Sequence, residues 1–334
     1  MSMPCVFLQP PWIGRFFPRL LTALLCFFIL FFCLGRVFGV SSTVRMAYLQ
    51  NDIHHLALWV ALDQDYFHQY GLKAEVAGIF RSGPELMTAF GSGELDAAYV
   101  GEAPATIAAV RGTAKVHVLA QANTEGSALV GAERVRTGGR KKPVLAMPGN
   151  GSVQDLLLRK ALPALGLSPA TADIIVLSPP EMLTAFQSGE IDGLLAWEPY
   201  PSRAVALGLG TVLASSADIW ADHPCCVLVA SDALLRERPE QARALLLVHR
   251  RATRFIHENP DAAVAIAVRY TGMEESIIRR ALRNVRYTEI PSVAGEVEYV
   301  NFLRHLGYIT MEDAEAFTRQ FIAEEFRRTV GEQP

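Results

Sequence analysis

Two glutamates that are able to hold a small molecule occupy the same place in a duplicated segment. Ser82–Glu102 returns 96 positions later as Ser178–Glu198, and 11 of its 21 positions are identical. Glu102 and Glu198 end the two copies. In an enclosed cleft a carboxylate favours an amine or a ring N–H donor, whereas beside a helix start it caps backbone amides. Both interpretations stay open for Glu102, and capping is favoured for Glu198.

Other polar residues at predicted strand ends and helix starts complete the candidate ligand contacts. Helix N-termini present unpaired amides, so small anions bind there readily. Asn150 and Ser152 flank a glycine that lets the backbone approach an anion closely, with an ordinary N-cap as the alternative. Trp197 offers a flat face for stacking on a ligand or for core packing. The predicted ligand contacts are Gln50, Asn51, Asp52, His54, Arg81, Ser82, Gly101, Glu102, Asn150, Ser152, Ser178, Trp197 and Glu198.

Paired histidines and paired cysteines raise the question of a metal site. His54 and His55 are neighbours in a predicted helix, where adjacent side chains point apart, and zinc needs three or four convergent ligands. His223, Cys225 and Cys226 open an apolar strand, where packing is favoured. Adjacent cysteines form at best a strained disulfide. The sequence therefore predicts no metal ligand, no cofactor and no catalytic residue.

Each copy of the duplicated segment predicts a helix, a strand and a polar turn. A capping-box pattern, Ser82 with Glu85 and Ser178 with Glu181, opens the helix. A short apolar run follows and is typical of a buried parallel strand. Open parallel sheets bind ligands beyond the carboxyl ends of their strands. Since two copies are too few for a solenoid, the duplication predicts two similar lobes that face each other.

The rest of the chain alternates strands and helices and then becomes helical. This order favours parallel strands joined by right-handed crossovers. Ala128–Ala132 and Cys225–Ala230 are predicted as the two crossings between the lobes. The predicted strands are Val44–Leu49, Lys73–Phe80, Ala97–Val100, Lys115–Gln121, Ser127–Ala132, Pro143–Met147, Asp173–Leu177, Gly193–Ala196, Thr211–Ala214 and Cys225–Ala230. A first helix is predicted from His54 to Tyr70, and the predicted C-terminal helices are Pro239–Glu258, Asp261–Arg269, Glu274–Val285, Val293–Leu306 and Met311–Thr329.

Composition and the amino terminus indicate a secreted protein of two domains. A chain of 334 residues with 51% hydrophobic content is large enough for two domains. Arg15 and Arg19 precede the apolar run Leu20–Leu34, which is the pattern of a signal peptide within residues 1–39. An uncleaved anchor is the alternative, although the run is short for a membrane span. Loss of three leader arginines changes the net charge from −3 to about −6, and an acidic surface without a basic stripe argues against nucleic acid.

Four motifs together resemble a known family. They are Gly71-Leu72, Phe90-x-Ser-Gly-Glu-Leu-Asp96, Gly101-Glu-Ala-Pro104 and Ala196-Trp-Glu-Pro-Tyr200. In combination they resemble the secreted solute-binding proteins of ABC importers, in the nitrate, sulfonate and taurine subgroup, which shares its fold with the thiamine-pyrimidine synthases. The resemblance covers roughly Val44 to Phe255. It implies an α/β fold of the periplasmic-binding-protein type II, in which two doubly wound lobes are joined by two crossing segments.

This resemblance extends the prediction to domains, partners and location. Residues 1–39 form the signal peptide, 40–130 with 225–334 form lobe 1, which includes a helical C-terminal extension, and 131–224 form lobe 2. We expect a monomer that captures a small polar solute (a sulfonate, a taurine-like compound, nitrate or a relative) between the lobes. It delivers the solute to the membrane subunits of an ABC permease and binds no nucleic acid. Its expected location is the periplasm, either free or tethered by an uncleaved leader.

Two other functions remain open for the same fold. A pyrimidine-synthase-like enzyme would need a metal and more convergent cysteine or histidine ligands than the sequence shows. A ligand-sensing domain is the second alternative, although the sequence shows no helix-turn-helix motif and no second membrane span.

Overall fold

Short apolar segments form the strands of two mixed sheets. The computed structural model describes residues 43–137, 142–324 and 328, so the predicted signal peptide lies outside the described residues. The strands are β1 (Val44–Leu49), β2 (Ala74–Phe80), β3 (Ala97–Gly101), β4 (Val116–Glu125), β5 (Ser127–Gly131), β6 (Val144–Met147), β7 (Asp173–Val176), β8 (Gly193–Trp197), β9 (Thr211–Ser215), β10 (Pro224–Ser231) and β11 (Val285–Tyr287). Their order is β11-β4-β10-β3-β1-β2 in the first sheet and β7-β6-β8-β5-β9 in the second. The predicted α/β, binding-protein type of fold is thereby confirmed.

The two sheets repeat one topology. In the first sheet β2, β1 and β3 are parallel neighbours, and β10 lies antiparallel between β3 and β4. In the second sheet β7, β6 and β8 are parallel neighbours, and β5 lies antiparallel between β8 and β9. Each antiparallel strand is the one that the chain forms directly after it passes from the other sheet. The duplication seen in the sequence therefore extends to the order of the strands.

The passages between the sheets differ from the predicted crossings. β5 is buried at all five positions and pairs along both of its edges in the second sheet, so residues 127–130 do not belong with the first sheet, where the predicted boundary had put them. The chain passes outward at Gly126 and returns between Ser215 and Pro224. Contacts hold the described residues from Thr43 onwards together as one compact unit. The division into two lobes remains a proposal, now with its boundaries at these two passages.

Helices cover both sheets, and seven of the described helices begin with a side-chain cap. Ser82 accepts a hydrogen bond from the Glu85 amide at 3.4 Å, and the Ser178 amide donates to the Glu181 carboxylate at 2.8 Å, as the capping-box pattern predicts. The helices are α1 (Leu56–Asp63), α2 (Tyr66–Gln69), α3 (Gly83–Gly91), α4 (Glu102–Arg111), α5 (Arg134–Thr137), α6 (Val153–Ala161), α7 (Pro179–Ser188), α8 (Tyr200–Ala206), α9 (Ser216–Ile219), α10 (Asp232–Glu237), α11 (Pro239–Glu258), α12 (Pro260–Thr271), α13 (Glu275–Leu282), α14 (Val293–His305) and α15 (Ala314–Phe321). None of the helices in the described part of the chain is long and apolar enough to cross a bilayer.

Three predicted helices have other limits in the structure, and the one predicted to begin at Met311 runs only from Ala314 to Phe321. The helix predicted from His54 to Tyr70 is a 3-10 turn at Ile53–His55, then α1, then α2, because Asp65 adopts a left-handed conformation (φ 54°) that interrupts the helix. The predicted helix Glu274–Val285 ends at Leu282. Val285 instead begins β11, which pairs with the edge of β4.

A repeated aspartate ties each duplicated segment to the strand that lies beside it. Asp96 accepts a hydrogen bond from the Arg45 amide at 2.8 Å and returns one from its own amide to the Arg45 carbonyl at 2.9 Å. Asp192, its counterpart in the second copy, makes the same pair of bonds with Val144, at 2.7 Å each. Arg45 and Arg238 also donate from their guanidinium groups to Asp96. Each aspartate thus fixes the start of a central strand.

We expect Asp96→Asn to lower the free energy of unfolding by about 2 kcal/mol at pH 7, since the charge that accepts these bonds is lost. Burial disfavours the charged form of Asp96, but the hydrogen bonds from Arg45 and the charge of Arg238 outweigh it and lower its pKa. The stabilisation is therefore present above the unfolded-state pKa and is lost as the pH falls through the folded-state value. Urea unfolding at pH 7 and below pH 4 measures both effects.

Glu94→Gln, a change at an exposed position two residues away, is the matched control and should stay within about 0.5 kcal/mol of the parent. An Asp96→Asn variant that is as stable as this control at pH 7 would contradict the role of the aspartate.

Candidate functional site

The turn after β1 meets the end of the second repeat. Asp52 caps this turn, since its Oδ1 accepts a hydrogen bond from the His54 amide at 3.0 Å. The Ile53 amide donates to the Glu198 carbonyl at 3.3 Å, and Nε2 of His54 donates to the Gly126 carbonyl at 2.8 Å. The turn therefore contacts both the second sheet and the outward passage of the chain.

Gly126 has a conformation and surroundings that exclude a side chain. Its φ is 88°, and a Cβ atom there would lie 2.3 Å from Nε2 of His54 and 2.9 Å from Cγ2 of Val285. Glycine adopts positive φ without steric cost. Any other residue at this passage would displace His54 or the backbone itself.

Around this turn lies a group of buried polar side chains that we call the polar cluster. Its members come from the β1 turn, from α4 and α14, and from the adjacent strands β4 and β10. They are Asp52, His54, His55, Glu102, Gln121, Asn123, Cys225, Cys226 and Glu296, all buried. Buried ionisable groups need partners or a change of protonation, so the cluster is a place where a ligand could be held.

Glu102 and Glu296 form a pair of buried carboxyl groups. Oε2 of Glu102 accepts a hydrogen bond from Nε2 of Gln121 at 3.0 Å, and Oε1 of Glu296 accepts one from the Thr106 hydroxyl at 2.7 Å. Burial raises the pKa of Glu102 to about 7, and burial together with the neighbouring Glu102 raises the pKa of Glu296 well above its usual value. Two neighbouring carboxyl groups cannot both ionise easily, so this pair favours a protonated form.

The histidines differ in their protonation. Burial disfavours charge on His54, but the carboxylate of Asp52 and the thiol group of Cys225 outweigh it and raise its pKa to about 9. Burial raises the pKa of Asp52 itself to about 7, against the opposing charge of His54. Burial lowers the pKa of His55 well below the usual value. Burial and the neighbouring groups thus favour the charged form of His54 and the neutral form of His55.

Glu198 caps a helix, which is the alternative favoured from the sequence. Its carboxylate accepts hydrogen bonds from the Ser202 amide at 3.1 Å, the Ser202 hydroxyl at 2.9 Å and the Asn284 side chain at 2.6 Å. Trp197 is buried and packs edge-on against Tyr200, with ring centroids 6.3 Å apart. Both residues are thus engaged within the protein.

The predicted anion cradle before α6 faces a carboxylate of the chain. The Ser152 hydroxyl accepts a hydrogen bond from the Asp155 amide at 3.1 Å, and the Asp155 carboxylate accepts one from the Gly151 amide at 2.9 Å. Arg159 and Tyr308 also donate to Asp155. These contacts are those of an ordinary N-cap, and the carboxylate occupies the amide that an anion would need.

The remaining predicted contacts lie outside the polar cluster and differ in their burial. Gly101 is buried, and a Cβ atom there would lie 3.0 Å from Cγ2 of Val153. The exposed ones are Gln50, Arg81 and Asn150, and the half-buried ones are Asn51, Ser82 and Ser178. Only Asp52, His54 and Glu102 of the predicted set belong to the polar cluster.

The structure adds residues that the sequence analysis did not select. Gln121 and Asn123 are polar residues within or next to an apolar predicted strand, and that exception to the pattern was an available signal. Cys225 and Cys226 were interpreted as packing residues, and nothing in their spacing pointed to His54. Glu296 lies in a C-terminal helix, far along the chain from its partner Glu102.

Two cavities are each bordered by one of the predicted ligand contacts. One of about 300 Å³ borders Glu198 and Asn284. The other, of about 490 Å³, borders Asn150 and Tyr308. Serines and arginines also line the cavity of about 300 Å³, namely Ser127, Ser202, Ser215, Ser216, Arg280, Arg283 and Arg286.

We expect Glu102→Gln to flatten the decline of stability with rising pH. The folded-state pKa of Glu102 is raised to about 7, so the folded protein holds a proton that the unfolded chain releases near pH 4. Its stability therefore falls between those two pH values, by about 3 kcal/mol for this group. Glu296, His223 and Cys225 face the same carboxyl and influence its titration. Urea unfolding from pH 4 to 8 measures the slope.

The control for this titration is Glu94→Gln, which should keep the parent slope because Glu94 is exposed. If Glu102→Gln and the control have equal slopes, Glu102 does not hold the proton.

Several known proteins are similar to this chain in sequence or in structure. The nitrate import ATP-binding protein NrtC of Synechococcus elongatus is 42% identical over 102 residues, which are 30% of this chain and only 16% of that protein. The periplasmic nitrate-binding protein NrtA of Synechocystis PCC 6803 has a similar structure, with a TM-score of 0.80, 17% identity, and coverage of 87% of this chain and 89% of that one. The aliphatic sulphonate binding protein SsuA of Escherichia coli has a TM-score of 0.68 and 18% identity, with coverage of 85% and 98%.

These structural likenesses agree with the fold described above. A family model supplies the stronger link, because it matches residues 40–270 and so most of the chain. The resemblance predicted from the four sequence motifs, to solute-binding proteins of ABC importers in the nitrate and sulfonate subgroup, is confirmed. The chain belongs to the NMT1-like family.

Proposed function

We propose that this protein is the solute-binding component of an ABC import system, which captures a small polar solute between its two sheets and delivers it to a permease. Family membership and the likeness to nitrate- and sulfonate-binding proteins support this role. The two passages at Gly126 and between Ser215 and Pro224 act as the hinge. Because the polar cluster is buried, solute enters when the sheets separate and is enclosed when they close.

The solute class follows from acceptor atoms within the polar cluster. Nε2 of Gln121 lies within hydrogen-bonding distance of three acceptors, which fixes the orientation of its amide and leaves Oε1 without a protein partner among the described residues. The amide of Asn123 is fixed in the same way by the carbonyls of Thr124 and Glu125, and its Oδ1 is likewise unpaired there. A buried acceptor without a donor costs about 1–3 kcal/mol. These two oxygens are the observation that carries the proposal.

Charge in the cluster favours the same class. The Glu102–Glu296 pair lies beside Gln121, and a carboxylate attracts N–H donors and repels anions. The solute is therefore an amine, an amidine or a heterocycle with N–H groups, in preference to nitrate or a sulfonate. At the predicted anion cradle, the Asp155 carboxylate already accepts the Gly151 amide.

We expect N–H donors to raise the melting temperature of the purified protein. The panel contains primary amines, guanidinium, an aminopyrimidine, nitrate, methanesulfonate and taurine, and calorimetric titration gives the affinity of each compound that raises the temperature. Glu102→Gln should weaken the best N–H donor about 10- to 100-fold, since a charged acceptor is lost. Glu94→Gln should leave this affinity unchanged.

The results of this panel test the solute-binding role and the chemical class of the solute separately. Tight binding of nitrate or a sulfonate, unchanged in Glu102→Gln, would reject the N–H donor class and keep the solute-binding role. If no compound of either class binds and X-ray scattering detects no closure, the solute-binding role fails as well.

A further inference from the structure

One ring nitrogen in the polar cluster faces two thiols. Nδ1 of His54 lies 3.5 Å from Sγ of Cys225 and 3.6 Å from Sγ of Cys226. His54 and Cys225 are fully buried, and Cys226 is 3% exposed. The three atoms lie within 4.8 Å of one another. This arrangement brings together residues that are about 170 positions apart in the chain.

The hydrogen bond to Gly126 prepares His54 as a ligand. Nε2 carries the proton that is donated to the Gly126 carbonyl. Because a metal ion displaces the proton of its ligand, the position left for an ion is Nδ1, which points towards the sulfur atoms. Metal-binding histidines commonly donate their other ring N–H to a backbone carbonyl, which fixes both tautomer and ring orientation.

An irregular strand pairing brings both thiols to one place. Neighbouring side chains of a regular strand point to opposite faces of the sheet. In β10 the register with β4 shifts between Pro224 and Cys226 and again between Cys226 and Val227. Such bulges redirect side chains and are frequent next to functional sites. The paired cysteines therefore converge, which a regular strand would prevent.

The distances agree with a tetrahedral centre. A zinc ion lies about 2.3 Å from sulfur and about 2.0–2.1 Å from nitrogen, so at the tetrahedral angle its sulfur and nitrogen ligands are roughly 3.5–3.6 Å apart. Both observed separations fall in this interval. Oδ1 of Asp52 lies 3.4 Å from the same nitrogen, close to the spacing of an oxygen and a nitrogen ligand at about 2.0–2.1 Å from one zinc ion.

We propose that His54, Cys225 and Cys226 bind a thiophilic metal ion of the zinc class, with Asp52 beside the fourth position. Two sulfur ligands and an imidazole select zinc over calcium or magnesium, which prefer oxygen ligands. The proposal does not rest on the solute-binding role, because it concerns the ion itself. It also revises the expectation from the sequence that the cysteines only pack.

Cobalt and zinc binding test this site. The reduced, chelator-treated protein should bind one cobalt ion and develop a thiolate-to-cobalt absorption band with the intense visible bands of tetrahedral coordination. Zinc should abolish these bands, and competition with a chromogenic chelator gives its affinity. We expect Cys225→Ser and Cys226→Ser each to lower zinc affinity about 100-fold or more.

His249→Gln is the matched control, because His249 is equally buried but bonds to Tyr99 and the Gln121 carbonyl, outside the site. It should keep the cobalt bands. His54→Gln should lose them, and circular dichroism of each variant shows whether it is folded. The absence of a thiolate-to-cobalt band in the parent protein, or its persistence in a folded Cys225→Ser/Cys226→Ser double variant, would overturn the proposal.

Discussion

The hydrogen bond from His54 to the Gly126 carbonyl is the contact on which the site depends. It joins the turn after β1 to the chain segment that leaves the first sheet. It requires glycine at that passage, because a Cβ atom would lie 2.3 Å from Nε2. It also directs Nδ1 towards the two thiols. The conformation of the outward passage, the orientation of the histidine and its contacts with the cysteines therefore depend on one hydrogen bond.

Much of the fold was predictable because its signals are local. Capping boxes at Ser82 and Ser178 and short apolar runs locate the repeated helix and strand. The position of β5 and β10 inside the sheets was not predictable in this way, because strand pairing joins residues far apart in the chain. The interruption at Asp65 depends on a single left-handed residue, for which an aspartate in a helical pattern gives little warning.

The site was predicted less completely than the fold. Glu102 and Asp52 are polar residues at the end of an apolar run, and that pattern selects them. Glu198 has the same pattern, yet the donors from Ser202 and Asn284 make it a cap. The convergence of Cys225 and Cys226 depends on irregular pairing with β4. Side-chain direction in such a strand follows from tertiary contacts that a linear pattern does not contain.

The order of the strands along the chain also determines which of the two sheets is completed first. All strands of the second sheet lie between Ser127 and Ser215, so its hydrogen bonding is complete once that stretch has been made. The first sheet begins earlier but keeps the facing edges of β3 and β4 apart until Pro224–Ser231 arrives. Unpaired edges attract other chains. The half that is synthesised first is therefore finished last, and during that interval it is the half most in need of protection from aggregation.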